Sequence, residues 1–392
     1  MQNFQICTPT NLHFGKGAQH LIGGLVKPLA RKVLLHYGGN SVKKIGLYDD
    51  TVKSLKEAGV DFVELGGVVP NPRLQLVYEG IRLCKSEGVD FILAVGGGSV
   101  IDSAKAIALG AIYDGDVWDM YEGKVPLKKA LPVATILTIP AAGSEMSGAS
   151  VISNIEKGRK SAVNDDMLRP VVSIVNPEYF LHLPKHQLAY GVSDIISHIF
   201  ERYFTQTVNC DVTDGLCESV LKSVMKNALI LADDPTNYEA WAEVGLGGII
   251  AHNNWLGIGR EQDWASHEIE HELSAYNDVA HGAGLAVITP AWMKYVYKEN
   301  MNMFVQFAVN VMGVQGSYRQ PEAIIKEGIA RLEAFYKKLG LSLTLSELGI
   351  GEDAFEDMAK KATGAYFGNE HGQGSFKRLK WQDVLEIFKL CK

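Results

Sequence analysis

FILAVGGGSVIDSAKAIALG, residues 91–110, is the stretch on which the fold turns. An uninterrupted apolar run enters three glycines and a serine, and the letters beyond them place apolar side chains at helical spacing. Such a run suits a strand covered on both faces, as in a parallel sheet between layers of helices. Gly96, Gly97 and Gly98 then form the turn into the helix, where backbone N–H groups can approach a ligand with no Cβ in the way. The positive end of the helix adds attraction for an anion. Two readings stand side by side: a phosphate-binding turn, or a tight strand-to-helix turn with no ligand. The turn is neither G-x-G-x-x-G nor a P-loop, which needs G-K-[ST].

The same alternation extends outward. KVLLHY (32–37), DFVELGG (61–67), PVATILTIP (132–140) and PVVSIVNP (170–177) read as further strands, with amphipathic stretches such as VYEGIRLCKSEG between them. The pattern predicts an α/β domain with a parallel, Rossmann-like sheet. Beyond residue 180 the texture changes. LPKHQLAYGVSDIISHIFERYF, GLCESVLKSVMKNALILA and PEAIIKEGIARLEAFYKKLG all have helical spacing and no clear strand. The expected division is therefore 1–180, an α/β domain, and 181–392, an all-helical bundle, with the break near Leu181–Pro184. A chain of 392 residues accommodates two domains.

The net charge of −7 argues against nucleic acid or an anionic membrane as partner, since both require clustered Lys and Arg. The N-terminus lacks a basic region followed by an apolar core, and no apolar run approaches the length of a membrane span. Cys7, Cys84, Cys210, Cys217 and Cys391 are odd in number, scattered and without a C-x-x-C, so they read as reduced thiols. A cytoplasmic location is the expectation.

A second glycine turn, Gly38-Gly39-Asn40-Ser41, closes the first strand and is followed by Lys43 and Lys44. A site that prefers NAD usually sets an acid against the ribose 2′-hydroxyl. No acid stands here, so the turn is compatible with a 2′-phosphate, hence NADP, with NAD still possible. The other reading is a solvated helix start.

Eight of the eleven histidines lie beyond residue 180. His182, His186, His252 and His371 have no partner motif. Asp194 and His198 are one helical turn apart, as are His267 and His271 in HEIEH (267–271), and His281 follows in DVAHGAGLA. An Asp and several His on helices suit a divalent zinc or ferrous ion. The spacing does not say which of them coordinate. Literally, HEIEH is also the H-E-x-x-H of a zinc peptidase, with Glu268 as base. The extended peptidase form fails, because Ser274 and Asn277 stand where Gly and His are wanted. The peptidase reading also leaves the α/β half unexplained.

Taken in order, FGKGA (14–18), YGGNSVKK (37–44), VPNP (69–72), GGGSVIDSAKA (96–106), TIPAAGSEMSG (138–148), VNPE (175–178), YGVSDIISHIFE (190–201), SHEIEHELSA (266–275) and AHGAGLAV (280–287) resemble the iron-containing (group III) alcohol dehydrogenase family over nearly the whole chain. The likeness is nearest to its NADPH-dependent aldehyde reductase and butanol dehydrogenase branch. The resemblance implies a dehydroquinate synthase-like fold, a homodimer, and hydride transfer between a primary alcohol or aldehyde and NAD(P)(H). It implies one iron or zinc ion on Asp194, His198, His267 and His281. It leaves His271 off the metal, beside nicotinamide and substrate, where the ordinary imidazole pKa near 6.5 suits a proton relay. Glu268 and Glu270 are then expected as helix-surface charges. For the cofactor it implies Gly97, Gly98 and Ser99 with Asp102 behind them, Asn71, Thr138 and Lys160, and Gly38, Gly39 and Ser41 around the 2′-phosphate. Two positions depart from the family pattern: Ala142 stands where a threonine hydroxyl is usual, and Asn40 where the branch often has a third glycine. A glycerol dehydrogenase or a dehydroquinate-synthase-like lyase is the nearer competitor, and a zinc peptidase the more distant one.

Overall fold

The computed structural model describes residues 1–316, 320–369 and 371–392. The chain separates into two compact units. One, the sheet unit, holds Cys7–Leu183 and Thr236–Gly245. The other, the helical unit, holds Met1–Ile6, Pro184–Pro235 and Leu246–Lys392.

Eight strands lie in the sheet unit: β1 (Asn11–Phe14), β2 (Lys32–Tyr37), β3 (Asp61–Leu65), β4 (Phe91–Gly96), β5 (Val133–Leu137), β6 (Ala149–Asn154), β7 (Arg159–Asn164) and β8 (Val172–Val175). Six of them form one sheet in the order β1-β8-β5-β4-β2-β3, with every pairing parallel. The five apolar runs are β2, β3, β4, β5 and β8. Every residue of β4 is buried, as its unbroken apolar letters require. One face packs Val33, Leu35, Leu93, Val95 and Ile136 against Ile22, Val26, Leu47 and Leu55. On β2, His36 is fully buried; its ring meets Leu65 O at 2.8 Å and Ser103 Oγ at 2.9 Å. Burial pushes its pKa down to about 4.

Three features go beyond the sequence reading. β1 is a short edge strand whose letters carry no alternation of their own. β6 and β7 form an antiparallel hairpin outside the main sheet, closed by a turn in which Gly158 takes φ 57°. Its strands are largely polar, so the apolar criterion passed over them. The segment Thr236–Gly245 packs with the sheet unit, its Trp241 ring 5.9 Å from that of Phe180.

The helical unit contains the helices Lys185–Tyr203, Asp211–Asp233, Ala265–Asn277 and His281–Val296 among others. A glycine decides how two of them meet. A Cβ on Gly282 would stand 2.0 Å from the Tyr190 carbonyl oxygen, so only glycine lets the start of His281–Val296 approach the backbone of Lys185–Tyr203 this closely. No described helix is long and apolar enough to cross a membrane.

Candidate active site and metal centre

In the helical unit, Asp194 and His198 lie on the Lys185–Tyr203 helix, His267 and His271 on Ala265–Asn277, and His281 opens His281–Val296. Ligand atoms of Asp194, His267 and His281 all fall within 4.8 Å of one another. Asp194 Oδ1 is 3.6 Å from His267 Nε2 and 3.8 Å from His281 Nε2. His198 is outside that mutual group but adjoins it: its Nδ1 is 3.3 Å from Asp194 Oδ1, and its ring centroid is 4.5 Å from that of His267. Ligands about 2.1 Å from a tetrahedral ion are roughly 3.4 Å from each other, so these separations are those of a coordination shell.

The chemistry of the donor set agrees. Asp194 Oδ1, His198 Nδ1 and His267 Nε2 are buried with no hydrogen-bond partner, a costly state that a cation relieves. Burial pushes the His198 pKa well below its ordinary value, and the imidazoles of His252 and His267 push the same way, which favours the neutral form that a metal takes. At His267 burial also pulls downward, but Glu201 and Asp194 outweigh it and hold the ring up at about 10. Two buried carboxylates thus demand positive charge at this point, and a divalent ion supplies it as well as a proton does.

HEIEH does not fold as a peptidase motif. Among the described residues no group of candidate ligands joins His267 with His271; their ring centroids are 6.5 Å apart and their planes nearly perpendicular, at 87°. His271 is instead grouped with Glu270 and His281, its ring centroid 5.7 Å from that of His281. Glu268 is exposed. Glu270, expected on the surface, is fully buried, and this corrects that expectation. Its Oε2 contacts His281 Nδ1, and its Oε1 accepts from Ser274 Oγ at 2.6 Å. Glu201, which the sequence reading passed over, accepts the His267 backbone N–H at 2.9 Å and contacts His267 Nδ1. Helical spacing carried the signal: Glu201 lies three residues beyond His198, and Glu270 three beyond His267, each on the face of the candidate ligands. His252, which had no partner in the sequence, packs its ring 4.1 Å from that of His198.

In the sheet unit, Gly38, Gly39 and Ser41 follow the C-terminal end of β2, Gly97, Gly98 and Ser99 that of β4, and Thr138 that of β5. The Gly98–Ala111 helix starts at Gly97 with no side chain capping it, so its first N–H groups remain for an anion. A Cβ on Gly98 would come 2.9 Å from the Ala142 Cβ, and one on Gly97 3.3 Å from Ile139, so these glycines let the loop after β5 close over the turn. Thr138 is buried and its N–H donates to Gly96 O at 3.1 Å. Asn71 is buried in the left-handed region, φ 52°, which asparagine tolerates. Lys160 is partly buried on β7, opposite Ser153. Asp102 accepts from Ser144 Oγ at 2.6 Å and from the Val151 N–H at 3.0 Å, so its carboxylate braces the surrounding loops. Gly39 and Ser41 are exposed, and a Cβ on Gly39 would meet nothing within 4 Å. The side chain of Lys43 lies over the rings of Tyr37 and Tyr48, at 5.2 and 4.7 Å.

Residues 9–177 match the family model for iron-containing alcohol dehydrogenase, and residues 188–391 that for the Fe-containing alcohol dehydrogenase family, C-terminal. The chain belongs to the iron-containing alcohol dehydrogenase family. It is 42% identical to NADH-dependent butanol dehydrogenase A of Clostridium acetobutylicum, over 99% of both chains. It is 35% identical to the NADPH-dependent aldehyde reductase YqhD of Escherichia coli, over 95% of this chain and 94% of the relative. The crystal structure of NADH-dependent butanol dehydrogenase A from Thermotoga maritima superposes with a TM-score of 0.96 at 42% identity, covering 100% of this chain and 99% of that one. Membership of the iron-containing alcohol dehydrogenase family makes the chain an oxidoreductase, and the fold that the resemblance implied is the one observed. A zinc peptidase is set aside by the same findings.

Proposed function

We propose that the chain interconverts primary alcohols such as butanol and their aldehydes, with hydride passing to or from NADP(H), and with NAD(H) accepted less well. The observation that carries the reading is the convergence of Asp194, His198, His267 and His281, with Asp194 Oδ1, His198 Nδ1 and His267 Nε2 buried and without a hydrogen-bond partner. These four residues would hold one divalent iron or zinc ion. When bound, the ion supplies Lewis-acid stabilisation of the substrate oxygen and the nicotinamide supplies or accepts the hydride. Everything else falls to side chains and backbone. The uncapped N–H groups at Gly98 and Ser99, with Gly97, receive the pyrophosphate, and Asn71, Thr138 and Lys160 orient the remainder of the dinucleotide. Gly38, Gly39 and Ser41 receive the 2′-phosphate, with room above Gly39 and the Lys43 charge nearby. His271 carries the hydroxyl proton of the alcohol towards solvent in oxidation and returns it in reduction.

Relatives named for NADH and for NADPH both lie within reach, so the nucleotide preference rests on the first glycine turn alone. Oxidation of NADPH and NADH with short and medium aldehydes, together with metal analysis of the purified protein, tests the whole reading. Turnover with about one equivalent of iron or zinc per chain, and a higher kcat/KM with NADPH, is expected. Turnover only with NADH overturns the nucleotide assignment, and full activity after complete chelation overturns the metal assignment.

A further inference from the structure

Two buried carboxylates stand directly behind the candidate ligands, and neither is itself a member of the set around Asp194. Glu201 grips His267 twice, taking the backbone N–H on Oε1 at 2.9 Å and contacting Nδ1 through Oε2. Glu270 contacts His281 Nδ1 through Oε2 while Ser274 Oγ holds its other oxygen at 2.6 Å. In both imidazoles the opposite nitrogen, Nε2, is the one that approaches Asp194. The space for Glu270 is reserved by glycine. A Cβ on Gly284 would stand 2.7 Å from Glu270 Cγ and 2.8 Å from Oε1, so any larger residue there displaces the carboxylate.

We infer that Glu201 and Glu270 are positioning residues that fix His267 and His281 as Nδ1–H tautomers and so present Nε2 to the metal. This rests on the ligand set proposed above. A histidine ligand left to itself can rotate, or carry its proton on either nitrogen. A carboxylate against Nδ1 removes both freedoms and makes the ring a stronger donor. Two further negative charges also favour retention of a cation. Gly284, in the GAG run that follows His281, then serves the metal without touching it.

The test uses the full-length protein, metal-stripped and reloaded with cobalt(II) or zinc, with affinity read by competition against a chelator. Glu270→Leu should weaken binding by roughly 10–100-fold and change the cobalt absorption bands. Glu270→Gln, which can still accept from Nδ1–H, should lose less. Gly284→Ala keeps the carboxylate but moves it, and should also weaken the site. Glu201→Gln should resemble Glu270→Gln, and if it does not fold, the two Glu270 variants and Gly284→Ala decide the matter. Wild-type affinity and an unchanged cobalt spectrum in Glu270→Leu overturn the inference. So does a wild-type stoichiometry of two ions per chain that falls to one in Glu270→Leu, since Glu270 would then be a ligand, with His271 and His281, of a second ion. A wild-type chain that takes up no ion overturns the ligand set beneath the inference, a result distinct from both.

Discussion

At the scale of single residues, the five letters of HEIEH divide by helical angle. His267 approaches Asp194, Glu270 backs His281, His271 lies beside His281, and Glu268 points away to the exposed side. Two substitutions separate the proposed roles. Asp194→Ala removes the atom shared by all three histidine contacts, so metal content and turnover should be lost together, with metal analysis and an NADPH assay as readouts. His271→Ala should retain the ion and the nucleotide while turnover falls by roughly 10²–10⁴, the usual worth of a general acid or base. Loss of the ion from His271→Ala would place His271 among the ligands instead. Asp194, His198, His267, His271 and His281 were legible as metal-ligand types, the first four as two pairs one helical turn apart, while spacing alone left open which of them coordinate. Glu201 and Glu270 were legible in principle, three residues from known candidates. Charged letters on a helix ordinarily mean a solvated face, and only burial shows that these are not.

At the scale of elements, the candidate nucleotide turn depends on a buried lysine. Lys105, on the Gly98–Ala111 helix, is fully buried and donates to Ser144 O, Ser144 Oγ, Ser147 O and Ala149 O at 2.7, 2.9, 2.9 and 2.8 Å. Burial lowers its pKa to about 8 against the opposing pull of Asp102 and Glu145, and burial raises that of Glu145 to about 7. The lysine therefore ties the loop after β5 to the helix that opens at Gly98. Lys105→Met should remove the donor to three carbonyls and the positive charge that faces Asp102 and Glu145, costing about 3–5 kcal/mol in denaturant unfolding and raising the KM for nucleotide more than it lowers kcat. An unchanged unfolding midpoint would contradict the bracing role. The sequence showed Lys105 only as one polar letter in an apolar helix. The hairpin β6–β7, whose first strand begins at one of its acceptors, was not visible because polar strands in a small antiparallel pair carry no apolar run.

At the scale of the whole molecule, stability should depend on pH through His36. Its folded pKa of about 4 lies below the ordinary 6.5, so above pH 6.5 it is neutral in both folded and unfolded chains and costs nothing. As pH falls from 6.5 towards 4 the unfolded chain takes up a proton that the folded chain refuses, and stability is lost. From pH 7 to pH 5 the loss attributable to this residue is about 2 kcal/mol. Urea unfolding at the two pH values should show that difference between the parent chain and His36→Gln; equal pH dependence in both would show that His36 is not the source. The sequence by itself determined the two kinds of architecture, since apolar runs closed by glycine and apolar residues at helical spacing are local patterns imposed by burial on both faces of a strand or one face of a helix. It also determined the types of candidate metal ligand, because their chemistry is written in the side chains. Only the tertiary structure decided that Thr236–Gly245 packs with the sheet unit and that Glu201 and Glu270 stand behind His267 and His281. It alone showed that Gly282 and Gly284 are needed for close approach. Those facts depend on which surfaces meet across long sequence separations, and a contact between distant segments leaves no periodicity in either of them.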